Sequence, residues 1–414
     1  MYKNHSRSLL AAVAIAQGMV ALDMSVVNVA LPAIRTGLGF DGGSLAGGLA
    51  QTSALLIGAR AVQGLAAAAL APAALATLTT TFAEGAARTR ALGVWSAVNA
   101  AGGAVGVLAG GPLTEYAGWR WVMLVNLPIA AIAAVLTLSA VPLDGPRSGP
   151  RARPDLAGAV LGTGGVALLI LGVVRTDQHA WTTPATIVPL GAAVLLLAGF
   201  VLVESRVRQP LLRLGLLHQR NVASANLFAF LAAAAMFSAF YFVSLYLQQV
   251  LRLSSAATAL AFLPFSAGTV VGSIVATRWA TARGPRPVLL AGGPLAAAGF
   301  AWFGLISADG SYVSDVLGPM LVTSVGLGMC LAPLALAATS GVPATEAGMA
   351  SSLVNSARQL GGSIGLAVLS TVALHNSSSG PTSGYSLGLL IAAALLCVAT
   401  AVAFGYMPAR SQSR

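Results

Sequence analysis

Long uncharged apolar runs separated by short polar connections dominate this chain. Residues 91–114, 121–143, 180–203, 221–251, 253–277, 287–308 and 316–345 contain no Asp, Glu, Lys or Arg. Each is long enough for a membrane-spanning helix, which takes about 20 residues. The runs are rich in Ala, Leu and Gly and lack period-two alternation, so they predict helices rather than barrel strands. With their flanks they predict twelve spans, near 8–34, 53–82, 91–113, 121–142, 156–174, 185–203, 221–248, 256–277, 287–307, 315–339, 350–373 and 385–407.

Charge sets the orientation of these spans. With the N-terminus in the cytoplasm, 16 basic residues fall on the cytoplasmic side. They are Lys3, Arg7, Arg88, Arg90, Arg147, Arg151, Arg153, Arg206, Arg208, Arg213, Arg220, Arg278, Arg283, Arg286, Arg410 and Arg414. Only Arg35, Arg120, Arg175 and Arg252 fall outside, and Arg60 and Arg358 lie within or at the edge of spans. The positive-inside rule therefore predicts a multi-pass membrane protein with both termini cytoplasmic. Lys3 and Arg7 before an apolar run also resemble a signal peptide, but the run continues through Asp23 to Ile34 without a convincing cleavage region.

Composition narrows the class. Of 414 residues, 57% are hydrophobic and 8% charged. A soluble domain carries about 25% charged residues, so this chain is an integral membrane protein whose surface faces lipid. The net charge of +11 does not predict nucleic-acid binding, because the basic residues are scattered between apolar runs. The longest polar connections, 143–155, 204–220 and 374–384, are too short to bury a core. No ATP-hydrolysing domain is predicted, no cofactor, and no enzyme activity. Energy, if used, is expected to come from an ion gradient or another subunit. Cys330 and Cys397 read as small core residues inside apolar runs, not as a disulfide or metal pair. The four histidines fall in termini or loops, so no histidine-centred catalytic site is suggested.

Asp23 is the acid placed deep in a span, and burying it costs about 2.5–3.5 kcal/mol on insertion scales. Arg60 is a second in-span charge, with Gln63 and Gly64 at i+3 and i+4 on its face. That stripe offers a polar face that a neighbouring helix can approach closely. Asp23 and Arg60 are expected to lie near one another across a shared cavity. Such a pair is either a proton relay, with Asp23 binding and releasing the proton, or an ion pair holding two helices together.

Small and polar residues mark further candidates. Gly102, Gly106 and Gly110, with Gly103 and Gly111 beside them, line one helix face, and Gly361 and Gly365 repeat the spacing later. Such faces admit a helix or a substrate against the backbone. Asn28, Asn126, Asn226, Gln248, Gln249, Asn355 and Gln359 lie within apolar runs and hydrogen-bond either a substrate or another helix.

Taken in order, these features resemble the major facilitator superfamily, and within it the fourteen-span drug:proton antiporters. The resemblance rests on Leu22-Asp23-x-Ser25 through Asn28 to Pro32, Arg60-x-x-Gln63-Gly64, Gly102/Gly106/Gly110/Gly111, and Trp119-Arg120-Trp121 through Asn126-Leu127-Pro128. Asp155-x-x-Gly158-x-x-Leu161, Tyr246-Leu247-Gln248-Gln249 and Leu360-Gly361-x-x-x-Gly365 extend it over nearly the whole chain. Val107 stands where the family's antiporter signature has proline. In the family, two spans and a basic glycine-rich loop separate the first signature from the arginine signature. Here only 27 residues, 33–59, lie between Pro32 and Arg60, so spans two and three are missing.

The resemblance implies an all-α polytopic membrane protein with a two-bundle fold of about 12 transmembrane helices. Its expected parts are an N-terminal bundle of four spans (1–142), a central pair (143–205) and a C-terminal bundle of six spans (206–414). It implies a secondary active transporter that exports small apolar or drug-like molecules against a proton gradient by alternating access. Its partners are then the small-molecule substrate, protons and the lipid bilayer. Asp23 and Arg60 become proton-coupling residues. Asn28, Gln63, Asn126, Gln248, Asn355 and Gln359 become cavity candidates, and Gly64 with the glycines above become packing or gating positions. The alternative is a truncated, non-transporting remnant or partner of a full-length transporter.

Overall fold

The computed structural model describes residues 9–23, 58–67, individual positions between 70 and 98, most of 102–140, and, with short interruptions, 155–406. Among these residues every regular element is helical. Eight described helices are long and apolar enough to cross a membrane, and Leu9–Asp23 is a shorter apolar helix.

The chain divides into two compact units. The first takes in Met1–Pro150 and Arg252–Leu263. It contains α1 (Leu9–Asp23), α2 (58–67), α3 (Trp119–Leu124), α4 (Asn126–Ala140) and the short α8 (Ser255–Ala261). Gly118 separates a π-helical turn, Leu113–Ala117, from α3, and its φ of 88° is a left-handed value that glycine adopts without strain. Small residues let these helices close up. The position a Cβ would take on Gly102 lies 2.7 Å from the Gly18 carbonyl oxygen of α1, and that on Gly111 lies 2.5 Å from the Ser255 carbonyl oxygen of α8. The Glu115 carboxylate accepts from the Ala256 backbone N–H at 2.9 Å, satisfying a free donor at the start of α8. That bond and one from the Ser254 hydroxyl hold the Glu115 carboxyl below the ordinary carboxylate range.

The second unit takes in Arg151–Leu251 and Pro264–Arg414. Its helices are α5 (Leu156–Arg175), α6 (Pro184–Glu204), α7 (Arg220–Leu245), α9 (Leu263–Arg283), α10 (Pro285–Phe303), α11 (Gly318–Thr339), α12 (Ala347–His375) and α13 (Pro381–Tyr406). Asp155 starts α5 by accepting from the Gly158 N–H at 2.8 Å, and Pro184 opens α6 at its first turn, where no N–H is needed. α5 and α6 form a hairpin in which Gly165 and Gly172 receive Leu197 and Leu190. Only 17% of the apolar window of α6 is buried, so its Val and Leu side chains suit a lipid surround.

α7 is the hub of this unit and packs against α11, α12 and α13. Phe228 of α7, Leu289 of α10, Cys330 of α11, Val354 of α12 and Ala399 of α13 meet in one buried cluster. Gly361 and Gly365 bring α12 onto the backbone of α7, at Phe230 and Ala234. Cys330 is buried, but Cys397 is exposed on α13. The expectation that both cysteines are core residues therefore fails for Cys397: apolarity does not distinguish a core face from a lipid face when both solvents are apolar.

Candidate functional site

Asp23, at the end of described α1, gathers side chains from two other helices of the first unit, α2 and α4. Its Oδ1 accepts from Arg60 Nη1 at 2.9 Å, Gln63 Nε2 at 2.8 Å and Asn126 Nδ2 at 2.7 Å. Its Oδ2 accepts from the same Arg60 nitrogen at 2.9 Å. Arg60 Nη1 also donates to Gln63 Oε1 at 2.8 Å and faces the Met123 sulfur at 3.9 Å.

Local structure explains the convergence. Arg60 and Gln63 are three residues apart on α2, so one helix face presents both. Met123 and Asn126 flank the junction of α3 and α4, which turns Asn126 toward Asp23 and Met123 toward Arg60. The Asp23 side chain is 13% exposed and that of Arg60 is 28% exposed, so the pair is sheltered but not sealed. Two unit charges cancel while Asp23 is ionised. Protonating Asp23 leaves a net positive charge on Arg60. The added hydrogen on either oxygen also competes with a donor already pointing there, so the cluster must rearrange. Asn126 is buried, and its Oδ1 has no hydrogen-bond partner among the described residues.

The other expected positions scatter. Gly64 is exposed, with nothing within 4 Å among the described residues, so the close helix approach expected there is not found. The i+4 spacing places Gly64 on the Arg60 side of α2, but the neighbours of Asp23 stop at Gln63. Gly106 and Gly110 are buried. Asn28 lies outside the described residues. In the second unit Gln248 donates to Ser244 of its own helical stretch at 3.1 Å, and Gln249 accepts from the Tyr385 hydroxyl at 2.8 Å. Asn226 is buried and donates to the Val222 carbonyl one turn back. Asn355 and Gln359 are exposed on α12.

One polar hub escaped the sequence reading. Asp315 accepts from the Tyr246 hydroxyl at 3.0 Å, the Ser307 N–H at 3.0 Å and the Ser314 hydroxyl at 2.6 Å, while Tyr246 also donates to the Ser307 carbonyl at 2.9 Å. Tyr246 is fully buried. Its bonds tie the end of α7 to the turn before α11. The available signal was an acid at the start of an apolar run, preceded 69 residues earlier by a buried tyrosine that needs a partner.

Comparison with known proteins places these features in a family. Residues 42–366 match the Major Facilitator Superfamily model. The chain is 39% identical to the cephamycin export protein of Amycolatopsis lactamdurans, over 95% of this chain and 91% of that protein. It is 37% identical to the puromycin resistance protein of Streptomyces alboniger, over 91% of this chain and 78% of that protein. The fold resembles a bacterial homologue of the human lysosomal transporter Spinster, with a TM-score of 0.63 and 14% identity over 97% of this chain and 96% of that one. In the first alignment, 95% of 414 residues fill about 393 of the 444 columns, so about 51 columns stand opposite gaps in this chain. Its apolar helices, its fold and its relatives agree: this chain is a multi-pass membrane protein and belongs to the Major Facilitator Superfamily of transporters.

Proposed function

We propose that this chain is a proton-coupled exporter of small, drug-like molecules in a bacterial cell membrane, working by alternating access with both termini in the cytoplasm. The observation that carries the reading is the Asp23 carboxylate, held by Arg60, Gln63 and Asn126 within 3 Å in a helical membrane protein. Each carboxylate oxygen offers about two lone-pair sites. Here three side chains converge on one oxygen, so a single proton changes several bonds at once. The printed roles of the relatives, export of cephamycin and resistance to puromycin, support outward movement of small molecules. Asp23 is the proton carrier in this reading, and the Arg60 guanidinium, by re-forming the pair with the carboxylate, drives release of the proton from Asp23 to water. Gln63 and Asn126 hold the carboxylate's orientation.

The second reading is a non-transporting remnant. It is favoured by the gap of about 51 columns, which is close to two spans of about 20 residues with their connection. Reconstitution into liposomes with an imposed pH gradient decides between the two. Movement of any compound from a broad dye and drug panel that follows the gradient supports the exporter. A full panel that stays put, with protein folded and inserted, favours the remnant.

A further inference from the structure

The in-span charges of the second unit do not balance. Arg358 lies on α12, ten residues past Gly348, where the membrane-spanning part of that helix begins. At 1.5 Å per residue it is about 15 Å from that end, deeper than its side chain extends. Yet no carboxylate among the described residues bonds it. Glu346, the acid nearest in sequence, pairs with Arg213, and Asp315 is engaged by Tyr246, Ser307 and Ser314. No hydrogen bond to the Arg358 side chain is found at all among the described residues. A lone guanidinium at this depth is costly unless something negative visits it.

The surroundings indicate what visits. Gly361 and Gly362, one turn further on, rest against Phe230 and Phe237 of α7, so that side of α12 is closed by packing. The adjoining side carries Ser351, Ser352, Asn355, Ser356, Gln359 and Ser363, all exposed. Six polar side chains over more than three helical turns do not face hydrocarbon; they line water. Ser351 and Asn355, at i−7 and i−3, place the half-buried Arg358 on the border of that wet stripe. In the first unit, by contrast, the Asp23 charge is already neutralised by Arg60.

We propose that Arg358 is the counter-ion for an anionic group on the transported molecule, so that the exporter takes small organic acids. The planar guanidinium fork matches a carboxylate in two parallel hydrogen bonds, and Asn355 supplies an amide donor beside it. This rests on the export reading for its cargo, but the binding site itself is measurable without transport.

Equilibrium binding of radiolabelled 2-naphthoate and of its uncharged amide, 2-naphthamide, is measured on the full chain in detergent. Wild type is compared with Arg358→Gln and Arg358→Lys. Wild type is expected to hold naphthoate about tenfold more tightly than naphthamide. Arg358→Gln is expected to abolish that preference, naphthoate binding falling about tenfold to the level of naphthamide, and Arg358→Lys to retain part of it. Equal binding of the two probes by wild type overturns the proposal without reference to any variant, and so does full naphthoate binding by a folded Arg358→Gln. Liposomes that move only neutral or cationic compounds also overturn it while leaving export standing. Silent liposomes combined with Arg358-dependent naphthoate binding sink the export reading and keep the anion site.

Discussion

Removing Arg60 isolates the energetics of the Asp23 cluster. In Arg60→Leu the Asp23 carboxylate keeps Gln63 and Asn126 but loses its charged partner among the described residues, and Gln63 Oε1 loses a donor. The two contacts from one Arg60 nitrogen count as a single charge-assisted bond, which contributes about 1.5–3 kcal/mol. Partial exposure of the Arg60 side chain trims this, and the lost bond to Gln63 adds about 1 kcal/mol. Arg60→Leu should therefore destabilise the protein by about 2–3 kcal/mol. Much of that cost is an orphaned charge, so Asp23→Asn in the same molecule should recover part of it, giving a coupling energy of about 1.5 kcal/mol. The assay is reversible unfolding in mixed micelles, followed by tryptophan fluorescence, across the four members of the double-mutant cycle. Effects that add within about 0.5 kcal/mol would show that the two charges do not interact, and would refute the geometry of the cluster.

Four further outcomes follow from the same structure. Gly361→Ala should lower the unfolding midpoint because its Cβ would collide with the Phe230 backbone, whereas Gly64→Ala, in open space among the described residues, should stabilise α2 by up to about 1 kcal/mol. Tyr246→Phe removes the hydroxyl that serves Asp315 and Ser307 and should cost about 1–2 kcal/mol in the same unfolding assay. The Glu115 carboxyl is held below its ordinary pKa, so its contribution is complete above that ordinary value and is lost as pH falls through the lower folded value. Wild type and Glu115→Gln should accordingly differ in midpoint at neutral pH, and the difference should vanish as pH falls through the lowered folded-state value.

The Asp23–Arg60 pair was legible in the sequence because charge is scarce and expensive inside apolar runs, and helical spacing then added Gln63. Asn126 was visible only as one of several buried amides; its distinction is a contact 103 residues away, which periodicity does not encode. Gln248 illustrates the same limit from the other side, since its bond to Ser244 satisfies it locally. The Asp315 hub joins residues 69 apart and needs tertiary structure to be seen. Gly64, Cys397, Asn355 and Gln359 turned on exposure, which an apolar membrane sequence leaves ambiguous. The contact of Gly111 with α8, more than 140 positions later, also lay beyond pattern reading.

Proton coupling through Asp23 is tested most directly by separating exchange from uphill transport in liposomes. Substrate loaded inside is exchanged for labelled substrate outside with no pH difference, and accumulation is then driven by an imposed pH gradient. Asp23→Asn is expected to keep exchange and lose gradient-driven accumulation, with no substrate-dependent proton flux on an internal pH dye. An Asp23→Asn protein that accumulates substrate and moves protons as wild type does would contradict the assignment of the proton to Asp23.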